Sequence, residues 1–213
     1  MQATRIVAIR HGETAWNVDT RIQGHLDIPL NDTGLWQAEQ VGRALADEPV
    51  AAIYTSDLQR AHATAQAVAR ATGAPLTPHT GLRERSFGHF QGRTFAEIEA
   101  ELPEDARRWR KRDPHYTPEG GESLVTLRER IERTVSALAE RHVGEQVVMV
   151  AHGGVLDVLY RLATRQDIQA PRTWQLANAA INRLLWTPDG LSLVGWADTQ
   201  HLDSQAARDE THS

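Results

Sequence analysis

The chain has 213 residues, 40% of them apolar and 24% charged, and a formal net charge of −5 at pH 7. That length and composition are typical of one folded domain with a sizeable core and exclude a disordered or collagen-like chain. The acidic balance argues against general nucleic-acid binding, and the absence of cysteine excludes disulfides, thiolate nucleophiles and cysteine-ligated metals.

Short apolar runs rich in β-branched residues predict the strands of the fold. Three of them predict buried strands, at residues 6–9, 51–54 and 147–151, and a short strand is predicted at residues 76–78. Two more strands are predicted late in the chain, at residues 180–186 and 191–196, joined by a Pro188-Asp189-Gly190 turn.

Segments with the apolar spacing of helices separate these strands. One helix follows the cap residue Asn31, and a second follows Ser56 and Asp57, which we expect to cap it. Longer helical patterns cover residues 124–138 and 155–162. The alternation predicts an α/β fold, a three-layer sandwich with a mostly parallel central sheet and helices on both faces.

Residues 85–121 interrupt this alternation with three prolines and two short helical patterns, near residues 94–101 and 104–112. We expect a helical lid insertion folded over one end of the sheet. Residues 1–200 then form a single domain that includes the lid, and the polar, patternless residues 201–213 form a tail.

Neither a signal peptide nor a membrane span is predicted. Met1 leads almost directly into the strand-like run 6–9, and no apolar run approaches the ~18 residues that a membrane span needs. We therefore expect a cytoplasmic protein with no membrane partner and no nucleic-acid partner.

Charged side chains follow the predicted strands at the edge where open α/β sheets bind ligands. Arg10 and His11 follow the first strand, and Arg60 lies one helical turn beyond the second. Glu84 follows the third strand and His152 the fourth. Because arginine forks match phosphate oxygens, two arginines and two histidines around one point predict a pocket for a small dianion.

These residue types can carry out phosphoryl transfer. A neutral imidazole can attack phosphorus, and a glutamate can protonate the departing alkoxide. Arginines can supply the positive charge that the reaction needs, so we expect no metal and no cofactor.

Five motifs, in this order along the chain, resemble those of the histidine phosphatase superfamily, the phosphoglycerate mutase-like proteins. They are Arg10-His11-Gly12-Glu13-Thr14-Ala15-Trp16-Asn17, Ser56-Asp57-Leu58-Gln59-Arg60-Ala61, Leu82-Arg83-Glu84-Arg85-Ser86-Phe87-Gly88 with Gln91-Gly92, Gly120-Gly121-Glu122-Ser123, and Ala151-His152-Gly153-Gly154. The resemblance spans roughly residues 5–196 and implies the α/β fold predicted above.

The resemblance also implies catalytic roles. His11 would be the nucleophile that becomes phosphorylated, and Glu84 would be the general acid and base. Arg10, Arg60 and His152 would hold the phosphoryl oxygens.

Four further residues receive binding roles from the resemblance. Asn17 would contact or orient the phosphate, and Gln23 and Gly24 would line the substrate entrance. Gly153 would present a backbone amide to the site.

The family includes phosphatases and mutases, and this chain departs from the cofactor-dependent mutases at several positions. They generally have a longer insertion, a tyrosine in place of Phe87, a lysine near Phe95 and Gly-Asn in place of Gly153-Gly154. We therefore expect a phosphomonoesterase that releases inorganic phosphate from a small phosphorylated metabolite. The alternatives are a cofactor-dependent phosphoglycerate mutase and a catalytically silent phosphate-binding module.

The basic run 107–112 has two readings. It is either a solvated helix face, with Glu104 paired to Arg108, or a lid surface that meets a second anionic group on the substrate. The sequence leaves the oligomeric state open, and a homodimer is suggested by family analogy alone.

Overall fold

One six-stranded sheet organises the chain, in a computed structural model that describes residues 2–205. Its strands are β1 (Thr4–Arg10), β2 (Ala52–Thr55), β3 (Leu76–Pro78), β4 (Gln146–Ala151), β5 (Ile181–Thr187) and β6 (Gly190–Asp198). They lie in the order β3-β2-β4-β1-β5-β6. The first four of these are mutually parallel, whereas β5 pairs antiparallel with β1 and with β6. The prediction of a mostly parallel α/β sheet is confirmed.

Helices connect the strands. They are α1 (Ala15–Val18), α2 (Asp32–Leu45), α3 (Gln59–Thr72), α4 (Phe95–Glu101), α5 (Pro103–Arg110), α6 (Leu124–Ala139) and α7 (Gly153–Thr164). Shorter 3-10 turns lie at Thr80–Leu82, Gly88–Phe90, Glu140–His142 and Gln200–Gln205. Within residues 2–205, none of the helices has the length and apolar character to cross a bilayer.

The two faces of the sheet carry separate apolar clusters. Ile6 and Ala8 of β1 pack into the cluster that includes α6 and α7. Val7 and Ile9 point the other way and pack with α2 and α3. This alternation follows from the period of two residues along a strand, and it gives the predicted three layers.

The predicted caps of α3 are wrong. Its N-cap is Leu58, which makes no side-chain cap bond. The Oδ1 atom of Asp27 instead accepts the Gln59 amide at 2.7 Å, while Asp57 forms an ion pair with Arg83. The carboxylate of Asp27, from a distant loop, therefore caps α3 in place of the predicted local residues.

The first residues of the predicted tail, 201–205, are structured. Gln200–Gln205 form a 3-10 turn, and the ring of His201 donates through Nε2 to the carbonyl of Ala179 at 2.8 Å. Leu202 packs against the cluster on the α2 and α3 face. One leucine among polar residues has no periodicity from which to predict this contact. The remaining tail, residues 206–213, lies outside the described residues.

The segment predicted as a lid has an apolar cluster of its own. Phe90, Ile98 and Tyr116 are buried in it, and Trp109 stacks on Phe90 with ring centroids 5.1 Å apart. This stack joins the Gly88–Phe90 turn to α5, and Ile98 of α4 packs in the same cluster.

Candidate active site

The two predicted site histidines leave the sheet at neighbouring strands. β1 and β4 are adjacent and parallel, with Arg10 opposite Ala151, so His11 and His152 emerge side by side. Their ring centroids are 5.2 Å apart, and the ring planes are tilted by 59°. Both residues are almost fully buried, with 2% and 0% of their surface exposed.

The backbone fixes the His11 ring in one tautomer. Its Nδ1 atom lies 2.6 Å from the carbonyl oxygen of Gly12. Because a carbonyl oxygen only accepts, Nδ1 carries the proton and Nε2 keeps the lone pair. The pKa of His11 is lowered well below that of a free histidine, mainly by burial and also by the charges of Arg10 and Arg60. The ring is therefore a neutral imidazole at physiological pH.

Close packing behind His11 requires glycine at position 12. A Cβ atom on Gly12 would lie 2.5 Å from the carbonyl oxygen of Gly34, in the first turn of α2. The side-chain amide of Asn178 donates to the carbonyl of His11 at 2.9 Å and holds the same segment from the other side. Sequence reasoning missed Asn178, since it lies outside every motif and far along the chain.

His152 is the N-cap residue of α7 and is held by Ser56. The Nε2 atom of His152 lies 2.8 Å from the hydroxyl oxygen of Ser56, which accepts the Leu58 amide at 3.3 Å. The Nδ1 atom is buried and has no hydrogen-bond partner within residues 2–205. Burial lowers the pKa of His152 well below the usual value, and the charge of Arg60 lowers it further. Ser56 lies within a recognised motif, but the sequence assigned it no role in orienting His152.

Arg10 and Arg60 bring two guanidinium groups to the histidines. Arg60 is 1% exposed and donates to the carbonyls of Leu26 and Gly24, at 2.7 and 2.8 Å. Arg10 donates to the carbonyl of Leu176. The Nε atoms of both arginines are buried and lack a partner among the described residues. Burial lowers the pKa of Arg60 to about 10, so this group stays charged at neutral pH.

Backbone amides hold both carboxylate oxygens of Glu84. The amide of Arg85 donates to Oε1 at 2.7 Å, and the amide of Gly154 donates to Oε2 at 3.0 Å. A Cβ atom on Gly154 would lie 2.2 Å from Oε1, so the carboxylate occupies the space of the missing side chain. The amide that meets the site at this contact is that of Gly154, one residue beyond the predicted Gly153.

Three predicted binding residues, Asn17, Gln23 and Gly24, line a small cavity beside His11. The Oδ1 atom of Asn17 accepts the Thr14 amide at 3.0 Å, which leaves its NH₂ group for a ligand. The Oε1 atom of Gln23 accepts the Thr14 hydroxyl at 2.9 Å. Gly24 has φ +53° and contributes the carbonyl that orients Arg60.

Together these residues enclose a cavity of about 160 Å³. Its lining comprises Arg10, His11, Asn17, Arg21, Ile22, Gln23, Gly24, Arg60, Glu84 and Phe87. A second cavity, of about 680 Å³, also has Arg10 and Phe87 in its wall and includes Gly153. The two spaces therefore adjoin at Arg10 and Phe87.

The basic run 107–112 divides between the surface and the larger cavity. Arg107, Arg108 and Arg110 form ion pairs with lid carboxylates. Glu104 pairs with Arg107, so the predicted pair with Arg108 is wrong. Trp109 and Arg112 line the larger cavity.

The sequence pattern of the histidine phosphatase superfamily (branch 1) matches residues 6–199. This match covers all of the sheet except the first two residues of β1, and it includes every residue of the site described above.

Relatives that match over nearly the full chain carry phosphatase and mutase-like names. The glucosyl-3-phosphoglycerate phosphatase of Mycobacterium tuberculosis is 38% identical over 98% of this chain and 99% of its own. The phosphoglycerate mutase-like protein 4 of Arabidopsis thaliana is 37% identical over 93% and 86%. The metal-independent phosphoserine phosphatase of the same plant is 36% identical over 95% and 85%.

The fold also matches a solved structure over nearly the full chain. YhfR of Bacillus stearothermophilus superposes with a TM-score of 0.86 at 30% identity, over 94% of this chain and 100% of that protein.

Proposed function

The chain belongs to the histidine phosphatase superfamily and is a histidine-type phosphatase, and on this premise we propose that it hydrolyses a small phosphorylated metabolite through a phosphohistidine at His11. The proposal covers the mechanism and the class of substrate. The observation that carries it is the tautomer of His11, whose Nε2 lone pair lies in a pocket lined by Arg10 and Arg60.

The first step is attack by His11. Its Nε2 forms a bond to phosphorus as the bond from phosphorus to the ester oxygen breaks. Arg10 and Arg60 stabilise the charge on the equatorial oxygens, and each has a buried Nε–H that lacks a partner within residues 2–205. Because these two cations supply the charge, we expect turnover without a divalent metal.

His152 supplies another donor to the phosphoryl group. The Ser56 hydroxyl accepts the Leu58 amide and can donate its own proton to Nε2 of His152. In the neutral ring the remaining proton is then on Nδ1, the atom that has no partner among the described residues.

Glu84 handles the protons. In its protonated form it gives a proton to the leaving alkoxide. Water then attacks phosphorus of the phosphohistidine, Glu84 takes a proton from that water, and the bond from Nε2 to phosphorus breaks to release phosphate. Its hydrogen bonds to the amides of Arg85 and Gly154 keep the carboxyl group in the wall of the small cavity.

The contact of Glu84 with Gly154 supports hydrolysis over a mutase reaction. The mutases of the family tend to carry asparagine at this position, and its Cβ would occupy the space that the Glu84 carboxylate fills here. The mutases generally carry a tyrosine where this chain has Phe87, and this difference also supports hydrolysis.

Hydrolysis of p-nitrophenyl phosphate in the presence of a chelator tests the proposal. We expect p-nitrophenolate to be released with or without the chelator. No release from this ester or from a panel of metabolite phosphates would indicate a silent phosphate-binding module instead. Interconversion of 3-phosphoglycerate and 2-phosphoglycerate, stimulated by 2,3-bisphosphoglycerate, would indicate a mutase.

A further inference from the structure

The larger cavity is strongly basic although the chain as a whole has a net charge of −5. Six arginines line it, and Asp157 is the one carboxylate in its lining within the described residues. The arginines are Arg10, Arg85, Arg112, Arg128, Arg161 and Arg172. So many like charges in one concave space produce a strong positive potential, which favours an anionic ligand.

Most of these arginines are already engaged by the protein. Arg112 and Arg161 both donate to Oδ2 of Asp157, at 3.0 and 2.9 Å. Arg85 donates to the carbonyls of Glu122 and Tyr116. The charges of these arginines add to the positive potential of the cavity, and their hydrogen bonds to the protein hold its wall in place.

Arg128 and Arg172 are the exceptions. Neither forms an ion pair or a side-chain hydrogen bond within residues 2–205. Burial is the main cause that lowers the pKa values of Arg10 and Arg112, and the nearby charge of Arg172 lowers both further. Two unengaged cations at one cavity are the groups that an incoming anion can bind with least rearrangement.

Buried polar atoms without partners also concentrate here. Six buried side-chain nitrogen and oxygen atoms lack a hydrogen bond within the described part of the chain. Two belong to Arg60 and His152 of the phosphate pocket. The other four belong to residues of the larger cavity wall, namely Asp157 Oδ1, Arg161 Nη2, Trp174 Nε1 and Arg10 Nε, the last on a residue that lines both cavities. Unpaired buried polar atoms are costly, and this set shows that polar groups are concentrated in the wall of the larger cavity.

We propose that the larger cavity holds the leaving group of the substrate, and that Arg128 and Arg172 bind a second anionic group on it, either a carboxylate or a second phosphate. The inference rests on the proposed function, since Arg10 and Phe87 join this cavity to the phosphate pocket. The volume of about 680 Å³ lies within the range of small-molecule sites and leaves room for a polar body bearing that anion.

Matched substrates test the second anion and identify its chemistry. 3-Phosphoglycerate and glycerol 3-phosphate differ by a carboxylate, while fructose 1,6-bisphosphate and fructose 6-phosphate differ by a phosphate. We expect kcat/KM to favour the more anionic member of at least one pair by roughly tenfold or more, the scale of a charged hydrogen bond. The pair that shows the preference distinguishes a carboxylate from a phosphate.

Removing the two cations should abolish that preference. In Arg172→Gln, and more completely in Arg128→Gln with Arg172→Gln, the ratio of kcat/KM within the pair should fall about tenfold. Because Arg172 is exposed, we expect Arg172→Gln to fold as the wild type does. Arg133→Gln changes an exposed arginine of the same helix as Arg128 and should retain the wild-type ratio.

Calorimetry that measures how tightly each member of the two pairs binds to the His11→Ala variant separates this inference from the proposed function. If the anionic member binds more tightly and Arg172→Gln removes the difference, the subsite stands even where no ester is hydrolysed. If p-nitrophenyl phosphate is hydrolysed but neither pair shows a preference in turnover or binding, the subsite is refuted and the phosphatase stands. A preference that survives the double substitution also refutes the assignment.

Discussion

The imidazole rings of His11 and His152 lie with their centroids 5.2 Å apart, and burial holds the pKa of each well below its usual value. Arg10 and Arg60 remain cationic beside them. The ligand-free site thus combines two neutral rings with two guanidinium groups. Such a site favours a dianion without placing a positive charge on the nucleophile, since Nε2 of His11 keeps its lone pair.

Replacement of His11 tests the covalent route. His11→Ala should lower kcat by roughly 10³-fold or more, because it removes the Nε2 lone pair that forms the bond to phosphorus. Mass spectrometry of base-quenched samples should show a phosphorylated protein for the wild type only. His115→Ala, at an exposed histidine, serves as the control. Near-native turnover by His11→Ala would refute the covalent mechanism.

Replacement of Glu84 tests the assignment of the proton donor. Glu84→Gln keeps the size of the side chain but removes the acid. Alkyl phosphates, whose leaving groups need a proton, should slow by ~10²–10⁴-fold, and p-nitrophenyl phosphate should slow much less. The measurement is kcat for both classes of ester. Equal slowing of the two would exclude Glu84 as the acid.

Gly154 should act as a positioning residue for Glu84. In Gly154→Ala the new methyl group would fall 2.2 Å from Oε1, so the carboxyl group must move. We expect alkyl phosphates to slow by about tenfold or more while p-nitrophenyl phosphate is affected less, since misplacing a catalytic group is costly.

The Gly154 prediction has two controls. Gly195→Ala, at a strand position where a Cβ atom would meet nothing within 4 Å, should behave as the wild type. Gly154→Ala combined with Glu84→Gln should be little slower than Glu84→Gln alone, because both changes remove the same function. Additive losses would instead indicate a general disturbance of α7.

The sheet could be predicted from the sequence, and so could the edge at which the candidate site residues lie, because both leave local patterns. A buried parallel strand is a continuous apolar run, and the residues that follow parallel strands meet at one edge. The sequence therefore predicts that His11 and His152 lie at the same edge of the sheet. That their strands are immediate neighbours depends on the strand order, which no local pattern encodes.

The residues that sequence reasoning missed act through long-range contacts. Asp27 caps α3, Ser56 holds His152, and Asn178 holds the backbone of His11, each from a segment distant in the chain. None has a periodicity or a spacing that predicts its partner. Ser56 could have been suspected from its motif, but its bond to His152 requires the folded arrangement of β2 and β4.

The stability of the ligand-free protein should fall in mild acid because of the two buried histidines. Both have a folded-state pKa well below the unfolded value of about 6.5. Between these two values the unfolded chain binds more protons, so the free energy of unfolding decreases as the pH falls from about 6.5. Each histidine should contribute roughly 1 kcal/mol per pH unit in that window.

Other groups lose their contributions at lower pH. The pKa of Glu48 is lowered mainly by its hydrogen bond to Arg183, and that of Asp57 by its hydrogen bond to Arg83. Their stabilisation is complete above their unfolded values, close to pH 4, and is lost only as the pH falls further. The interval from pH 6.5 to 5.5 therefore isolates the histidines from these carboxylates.

Urea unfolding in phosphate-free buffer at pH 7.5, 6.5 and 5.5 measures this effect, since a bound anion would favour the protonated rings. We expect His152→Asn to lose roughly 1 kcal/mol less than the wild type between pH 6.5 and 5.5, whatever its stability at pH 7.5. His115→Gln, at an exposed site, should show the wild-type loss. If His152→Asn and the wild type lose the same free energy over this interval, the ring of His152 is not held neutral by the fold, and the donor role proposed for its Nδ1 atom needs revision.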